Sequence, residues 1–297
     1  MKLLVLDIGG TFIKYAHMRS DGTMLERAKI PTPQNSREEL IDCIAGLFKD
    51  CDSAEGIAIA MPGIIDAESG QCLVGGALRY NEGFSLKKAL EDRCNVPVYV
   101  ENDAKCGAMA EAALGSLSDV SDGLVLLFGT MIGCAIIRDH KLCKGFHFAA
   151  GEVSYIIHDS NKHPDYDNVW GNRCGIPRLC KLFADKKGLE SASGVELFDA
   201  VEAGDADALS CLKDYCHDLA VQIFNLQTVL DPQRIAIGGG ISARPIFLEY
   251  LKSGLTKLYE ACPYPIPRAE LVPCKFQKDA NLVGALQCYL KNIKHPD

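Results

Sequence analysis

The sequence predicts an α/β protein built as two lobes, and three observations lead to this expectation. The chain has 297 residues, a length at which one hydrophobic core usually gives way to two. Apolar runs typical of buried strands alternate along it with segments of helical periodicity. A unit of apolar strand, Gly/Thr turn and second apolar strand occurs twice, at Leu3–Lys14 and at Leu124–Ile137. We therefore expect each lobe to open with this unit.

The first lobe is expected over residues 1–116. The turn Gly9-Gly10-Thr11 joins its first two strands, Leu3–Ile8 and Phe12–Met18, and Asp21-Gly22 indicates a further hairpin. Apolar residues at helical spacing predict a helix over Ser36–Lys49, with Ser36 at its start. The other predicted elements are strands at Gly56–Ala60 and Pro97–Val100 and helices at Ser85–Asp92 and Ala104–Leu114.

The second lobe is expected over residues 117–280, because the small, polar stretch Gly115–Asp122 resembles a domain boundary. A long helix is predicted at about Asp205–Leu230, and the strand Ile235–Ile237 follows it and ends at Gly238-Gly239-Gly240. A final helix at 281–297 is expected to complete the first lobe.

Composition excludes several classes of protein. The net charge is −8 and no basic run offsets it, so we expect no nucleic-acid partner. Glycines interrupt the longest apolar stretch, which is shorter than the roughly 20 residues that cross a bilayer, so we expect no membrane association. The amino terminus lacks the pattern of a secretory signal. Fourteen scattered cysteines without a CxxC motif favour reduced thiols in a cytoplasmic protein.

Three glycine clusters that follow apolar strands are candidates for binding phosphate. Asp7-Ile8-Gly9-Gly10-Thr11 offers backbone N–H groups, a threonine hydroxyl and, in Asp7, a carboxylate for the water shell of Mg²⁺. Gly129-Thr130 and Gly238-Gly239-Gly240 repeat the device in the second lobe. One such cluster is compatible with an ordinary turn. Three of them, in both lobes, favour a nucleotide.

Glu101-Asn102-Asp103 places a carboxylate at the end of a strand, where the sites of open α/β sheets lie. Phosphoryl transfer needs a base that orients the attacking hydroxyl and accepts its proton, and Asp103 fits that role. Asn102 can donate to and accept from sugar hydroxyls. The alternative is that Asp103 only caps the alanine-rich helix that follows it. The residues alone leave both readings open.

Together these motifs resemble the ROK family of sugar kinases and repressors, within the hexokinase–actin superfamily. The resemblance spans nearly the whole chain and rests on the following motifs: Asp7–Lys14, Pro62-Gly63, Glu101-Asn102-Asp103, Gly129-Thr130, Ala150-Gly151-Glu152, Gly238-Gly239-Gly240 and Ala280–Ala285. It implies a two-lobed ribonuclease-H-like (actin/hexokinase) fold. ATP and sugar would occupy the cleft between the lobes, with the sugar on the amino-terminal side and the nucleotide on the carboxyl-terminal side. It also implies a homodimer.

The resemblance implies roles for individual residues. Asp103 corresponds to the catalytic base and also contacts the sugar. The remaining sugar contacts are expected at Gly63, Gly76, Asn102, Glu152 and Tyr155. ATP contacts are expected at Asp7, Gly9, Gly10, Thr11, Lys14, Gly129, Thr130, Gly238, Gly239 and Gly240, with Asp7 also a candidate for Mg²⁺.

The chain departs from the family pattern at two places. The family's zinc site uses a His after the Gly-Glu motif and a CxCGxxGCxE cluster. Tyr155 stands at the His position, and the cluster is reduced to Arg173–Lys181, so we expect no structural zinc. In the second phosphate loop Met131, Cys134 and Ala135 replace three glycines. If the position of Met131 requires a positive φ, its backbone would be strained and ATP binding weakened.

The zinc-less pattern, with Gly75–Arg79 and Gly-Glu-x-x-Tyr, looks like the subgroup that includes β-glucoside kinases. We therefore expect ATP- and Mg²⁺-dependent phosphorylation of a hexose or β-glucoside, at the 6-hydroxyl. A glucokinase or an N-acetylmannosamine kinase is the near alternative. A catalytically weak sugar-binding sensor is an alternative of another class. A repressor is disfavoured because the first glycine motif begins at Asp7, which leaves no room for a preceding DNA-binding domain.

Overall fold

The structure, a computed structural model, describes residues 1–163 and 165–293 and divides into two compact units. Unit one consists of Met1–Ser118, Lys141–Ala150 and residues 278–293, and unit two of Asp119–His140 and Gly151–Gln277. The segment Lys141–Ala150 falls inside the expected second lobe, but its contacts group it with unit one.

The strands, in chain order, are β1 (Lys2–Ile8), β2 (Phe12–Arg19), β3 (Met24–Pro31), β4 (Ile57–Met61), β5 (Ile64–Asp66), β6 (Gln71–Val74), β7 (Phe84–Ser85), β8 (Val98–Asn102), β9 (Gly123–Phe128), β10 (Ile132–Arg138), β11 (Lys141–Cys143), β12 (Arg234–Gly238) and β13 (Glu270–Pro273). The helices are α1 (Arg37–Asp50), α2 (Leu86–Cys94), α3 (Asp103–Leu114), α4 (Trp170–Arg173), α5 (Ile176–Lys187), α6 (Gly194–Glu202), α7 (Ala206–Leu230), α8 (Pro245–Ala261) and α9 (Ala280–Asn292).

Unit one is built on a five-stranded sheet in the order β3-β2-β1-β4-β8. Strands β1, β4 and β8 run parallel and are buried, whereas β2 and β3 extend the sheet as an antiparallel meander. This arrangement brings the carboxyl ends of β1, β4 and β8 to one edge, where loops of an open α/β sheet carry function. A smaller antiparallel sheet, β5-β6-β7, follows β4.

Helix α9 packs against α3 and closes the core of unit one. Gly284 permits this approach, because a Cβ at that position would overlap the carbonyl oxygen of Cys106. Helix α9 also contacts β1, β4 and β8. It therefore packs on the main sheet of unit one as well as on α3. Of the predicted helix 281–297, residues 294–297 lie outside the described residues.

Unit two contains the parallel strands β9, β12 and β13 in the order β9-β12-β13, with β10 antiparallel to β9. Helices α5, α6 and α8 pack against the long helix α7. The aromatic rings of Phe128 and Phe247 meet edge to face at 5.9 Å in the core, and Trp170 is fully buried there. Among the described residues, no helix combines the length and apolar character needed to cross a membrane. All fourteen cysteines are free thiols.

Candidate active site

Asp7 lies near the end of β1 with its carboxylate held from two sides. Lys14, its partner across the β1–β2 pair, donates from Nζ to Oδ2 at 2.9 Å, and Asn281 donates from Nδ2 to Oδ1 at 3.0 Å. The carboxylate is 7% exposed. Each oxygen retains a further lone pair, so Asp7 fits contact with Mg²⁺ through a water molecule better than direct coordination of the ion.

Two side chains from the segment after β3 hold the Gly9-Gly10-Thr11 turn in place. Thr32 donates to the Gly9 carbonyl at 2.7 Å, and Gln34 donates to the Gly10 carbonyl at 2.7 Å. The glycines have negative φ, so they are needed for close approach rather than for backbone conformation. Thr11 is exposed and its side chain is available to a ligand. Both carbonyls are thereby hydrogen-bonded within the protein, which fixes the turn before any ligand binds.

Asn102, rather than Asp103, caps helix α3. Its Oδ1 accepts from the Lys105 backbone N–H at 3.0 Å, and its Nδ2 donates to the Gly63 carbonyl at 2.9 Å. Asp103 is the first helical residue and is half-buried, and its Oδ1 accepts from the Ala104 N–H at 2.8 Å. The alternative in which Asp103 serves as the cap is therefore wrong. Asn102 is 6% exposed and links Gly63 to the helix. Both its amide oxygen and its amide nitrogen already make hydrogen bonds within the protein.

Gly63 and Gly76 lie against each other beside this helix start. Gly63 has φ +111°, and a Cβ there would overlap the Val74 carbonyl oxygen. Gly76 has φ +55°, and its Cβ would lie 3.0 Å from the Gly63 backbone nitrogen. Unit one thus brings together four of the predicted sugar contacts, namely Gly63, Gly76, Asn102 and Asp103.

Two charged groups, Glu101 and Lys144, meet at the end of β8 next to Asp103, and no sequence motif indicates their contact. Glu101 is fully buried; its Oε1 accepts from the Asn102 N–H at 2.9 Å and its Oε2 lies 3.1 Å from Lys144 Nζ. Lys144 also donates to the Tyr99 hydroxyl at 3.0 Å. Burial, and then the Glu101 carboxylate, raises the pKa of Tyr99 well above its usual range. The end of β8 is therefore held rigidly by buried polar contacts.

In unit two, the Gly129-Thr130 turn is closed by the start of helix α5. The Ile176 N–H donates to the Gly129 carbonyl at 2.9 Å, and a Cβ at Gly175 would overlap the Thr130 carbonyl oxygen. Ser154 reaches the other side of the turn, where it donates to the Ile132 carbonyl at 2.7 Å and accepts from the Ile132 N–H at 3.1 Å. The loop is thus fixed by two segments that lie far away in the sequence.

The three glycines at the end of β12 have different reasons to be glycine. Gly238 faces Leu127 and Cys274, which a Cβ would approach to 2.6 and 3.0 Å. Gly239 has φ +89° and no room for a side chain against Phe128. Gly240 faces open space. Gly240 therefore leaves the turn accessible to a ligand, whereas the other two are required by packing.

These two loops border a cavity of about 480 Å³ within unit two. Its walls are mostly apolar, and its edge carries the Thr130 hydroxyl and the Arg244 guanidinium. Arg244 is held by Glu202 at 2.7 Å and lies over the Phe198 ring at 5.6 Å. The lining residues are Phe128, Gly129, Thr130, Ile176, Pro177, Leu179, Gly194, Val195, Leu197, Phe198, Gly240, Ile241 and Arg244. Volume and lining suit a small flat ligand such as a nucleobase.

Glu152 and Tyr155 follow a glycine that is tied to β10. Gly151 has φ +91°, and a Cβ there would approach the Cys134 carbonyl oxygen to 2.6 Å. The Glu152 carboxylate, after burial, contributes to raising the pKa of the Cys134 thiol, which places its charge near β10. Tyr155 ends a 3-10 turn and is 62% exposed. Both side chains border solvent and are accessible to a ligand.

Met131 is not strained. It is absent from the residues with positive φ, and its backbone carbonyl accepts from the Gly129 N–H at 3.0 Å. Its terminal methyl lies against Gly171, where an added Cβ would come within 2.8 Å of it. The expectation of a strained loop that weakens ATP binding is therefore wrong in its premise, because the position does not require a glycine.

We expect Met131→Gly to leave the KM for ATP within about twofold, since no backbone strain is relieved. Its melting temperature should fall, because the contact with Gly171 is lost and the backbone gains freedom when unfolded. Met131→Leu, which keeps an apolar side chain of similar volume, is the control for packing. A markedly lower KM for ATP in the glycine variant would contradict this account of the loop.

The residues near the family's zinc position do not form a ligand cluster. Among residues 1–163 and 165–293, no three His, Cys, Asp or Glu side chains are placed to hold a metal ion. Burial raises the pKa of the Cys174 thiol to about 12, which opposes the thiolate that zinc requires. His158 lies 3.8 Å from Asp218 instead. The absence of structural zinc stays a prediction.

Elemental analysis of the purified protein should therefore find well under one zinc per chain. Chelation should leave the melting temperature unchanged, because no folding free energy depends on the metal. Stoichiometric zinc, lost together with stability on chelation, would contradict the prediction. Cys174→Ser should then abolish the binding.

The structure adds candidate functional residues that no sequence motif indicates. Pro177, Gly194 and Arg244 border the cavity of unit two. Lys144 binds Glu101 at the end of β8, and Lys105 donates to the Phe148 carbonyl. Two local signals were readable. Pro177 stands at the second position of α5, as is typical of helix starts. Ser193 and Glu196 form a capping box that starts α6.

Comparison with known proteins agrees with this architecture. The model of the ROK family matches residues 3–292. A β-glucoside kinase from Klebsiella pneumoniae is 35% identical, over 100% of this chain and 99% of that protein. An N-acetyl-D-glucosamine kinase from Aliivibrio salmonicida is 30% identical, over 84% of this chain and 88% of that protein. The crystal structure of a ROK family protein from Streptococcus pneumoniae TIGR4 in complex with sucrose superimposes with a TM-score of 0.89 at 28% identity, covering 98% of each chain. The predicted fold class is confirmed.

Proposed function

The chain belongs to the ROK family and is an ATP-dependent sugar kinase, and we propose that it phosphorylates the 6-hydroxyl of a β-glucoside with Asp103 as the general base. The observation that carries the proposal is the placement of Asp103. It is the first residue of α3, half-buried and next to the Gly63–Gly76 turns, and Asn102 is the cap of that helix. The β-glucoside kinase relative supports the choice of acceptor.

Asp103 would accept the proton of the attacking hydroxyl. Its Oδ1 is oriented by the Ala104 N–H at 2.8 Å, and the start of a helix favours the ionised carboxylate. Asn102 and Glu101 hold this position from below, so the carboxylate needs little reorganisation during the reaction. Gly63, Gly76, Asn102, Glu152 and Tyr155 would contact the sugar hydroxyls, with the two glycines offering backbone groups at close range.

ATP would place its base in the cavity of unit two and its phosphates on the glycine turns. The cavity volume of about 480 Å³ falls in the range of small-ligand sites, roughly 300–1,000 Å³. Thr130 and Gly240 border it, and in unit one Gly9, Gly10, Thr11 and Lys14 offer further phosphate donors. Bound with ATP, Mg²⁺ neutralises charge on the phosphates. Asp7 would hold it through a water molecule.

The nearest alternative is a kinase for an unsubstituted hexose or a 2-acetamido sugar. The N-acetyl-D-glucosamine kinase relative supports it, and glucose and N-acetylmannosamine belong to the same set of acceptors. The sensor alternative rests on Met131 and on the altered zinc motif, and it loses the first of these supports because Met131 is unstrained.

A coupled ADP-release assay tests the proposal. The acceptors are glucose, N-acetylmannosamine, N-acetylglucosamine, cellobiose and an aryl β-glucoside. The highest kcat/KM is expected for a β-glucoside. A preference for a free hexose or acetamido sugar would show that the proposed acceptor is wrong, while the assignment as a sugar kinase would stand. Sugar binding without turnover of any acceptor would favour the sensor.

We further propose that the protein is a cytoplasmic homodimer. The free thiols support a reducing compartment. An apolar groove of about 660 Å³ in unit two, bordered by Ile157, Leu226 and Val229, supports an interface with a second copy, since Val229 is 80% exposed. The molar mass in solution tests this, and Val229→Asp should shift it toward the monomer.

A further inference from the structure

The segment Lys141–Ala150, here called the strap, is held by contacts with β8 and α3, the two elements that meet at Asp103. Lys144 binds the buried Glu101 carboxylate and the Tyr99 hydroxyl on β8. Lys105, in the first turn of α3 and 1% exposed, donates from Nζ to the Phe148 carbonyl. Buried charged groups are expensive unless paired, so these contacts hold the strap in one position. Loops positioned by such a rigid scaffold are where binding residues concentrate.

The strap presents two aromatic rings to solvent. Gly145 has φ +73° and accepts from the Phe148 N–H at 3.3 Å, and the Ala150 N–H donates to the Lys144 carbonyl at 3.0 Å. Phe146 projects from this turn with 92% of its surface exposed, the largest exposure among the described large apolar residues. Its ring packs edge to face on His147 at 4.9 Å.

The strap is anchored to the helix that begins with the base, within unit one. Lys105 is two residues beyond Asp103, and Phe146 is two residues before the carbonyl that Lys105 binds. Two residues span at most about 7 Å of chain, so the backbone of Phe146 lies within about that distance of the Phe148 carbonyl, where Lys105 anchors the strap to α3. Isolated exposed apolar residues are common. Phe146 differs from these because its exposed ring lies on a strap that contacts with β8 and α3 hold in place, so the ring is positioned to bind a ligand.

We propose that Phe146, backed by His147, binds the aglycone of the β-glucoside whose glucosyl unit is phosphorylated at Asp103. The inference rests on the proposed function and deepens it. An aryl aglycone would stack on the Phe146 ring, and a second glucosyl unit would lay its C–H face on it. Free glucose lacks the aglycone that would contact the ring, so Phe146 would select substituted glucosides without contributing to chemistry.

The test compares an aryl β-glucoside, cellobiose and glucose in wild type and Phe146→Ala. We expect the KM for both glucosides to rise roughly 3- to 10-fold, the range for loss of one aromatic contact, with kcat and the KM for glucose unchanged. Phe146→Trp should restore the glucoside KM. Tyr264→Ala removes a ring that is 74% exposed in unit two and is the matched control, with no change expected.

Three outcomes would overturn the inference. An unchanged glucoside KM in Phe146→Ala removes the ring from recognition. An equal loss for glucose and glucosides assigns Phe146 to the stability of the strap, and the melting temperature would fall with it. Wild-type protein that turns over free sugars but no glucoside refutes the proposed acceptor, and the inference with it, so the two failures are distinguished by the wild-type assay.

Discussion

Asp103→Asn should lower kcat by about 10²–10⁴-fold, the usual contribution of a general base. Asn has almost the same size and can still hydrogen-bond the sugar hydroxyl, but it cannot accept a proton at neutral pH. The KM for the sugar should change far less than kcat, because the Gly63–Gly76 turns and Asn102 are untouched. In the proposed mechanism, the change removes a group that acts only in the transition state.

The structure removes the main ambiguity of this experiment. Asn102 supplies the cap of α3, so the helix should keep its start and the melting temperature should stay close to that of wild type. Asp205→Asn is a matched control, since Asp205 caps α7 in unit two and Asn caps a helix as well as Asp does. Turnover should be unaffected there. Near-normal turnover in Asp103→Asn would remove Asp103 from the mechanism.

Gly63→Ala should produce the second large effect. Gly63 has φ +111°, and its Cβ would overlap the Val74 carbonyl, so the backbone must move. The Gly63 carbonyl accepts from Asn102, so this movement would displace the residue next to Asp103. Misplacement by about 1 Å costs on the order of 10²-fold in rate, and we expect a loss of that size in kcat/KM for the sugar.

Gly22→Ala is the control that separates the two causes of strain. Gly22 has φ +90° but open space around it, so its substitution carries only the backbone cost of about 1–3 kcal/mol. Gly63→Ala should be less stable than Gly22→Ala and should lose sugar turnover, while Gly22→Ala keeps it. Equal stability and equal turnover would contradict the assigned role of Gly63.

Elements with strong local signals were predictable from the sequence. Helix α1 starts after Ser36, whose hydroxyl accepts from the Glu39 N–H, and α7 covers Ala206–Leu230, because periodicity and caps are encoded within each segment. The glycine motifs were also readable, since their spacing follows the ends of buried strands. The roles given to these motif residues rest on the family resemblance and stay proposals.

Features set by distant contacts were not predictable. Asn102 and Asp103 are equally good caps, and the bond from Asn102 to Gly63, 39 positions away, decides between them. Lys141–Ala150 groups with unit one because Lys144 pairs with Glu101, which no local pattern encodes. The family position of Met131 suggests a positive φ, whereas the structure gives it a negative φ and packs its side chain against Gly171, 40 positions away.

The most direct test of the central claim locates the transferred phosphoryl group. Purified protein is incubated with ATP, Mg²⁺ and the preferred β-glucoside, and the product is analysed by phosphorus–proton NMR. The account predicts a phosphoryl group on the oxygen of carbon 6, and no ADP release when the 6-deoxy form of the same glucoside is supplied. A product phosphorylated at another position, or turnover of the 6-deoxy glucoside, would contradict it.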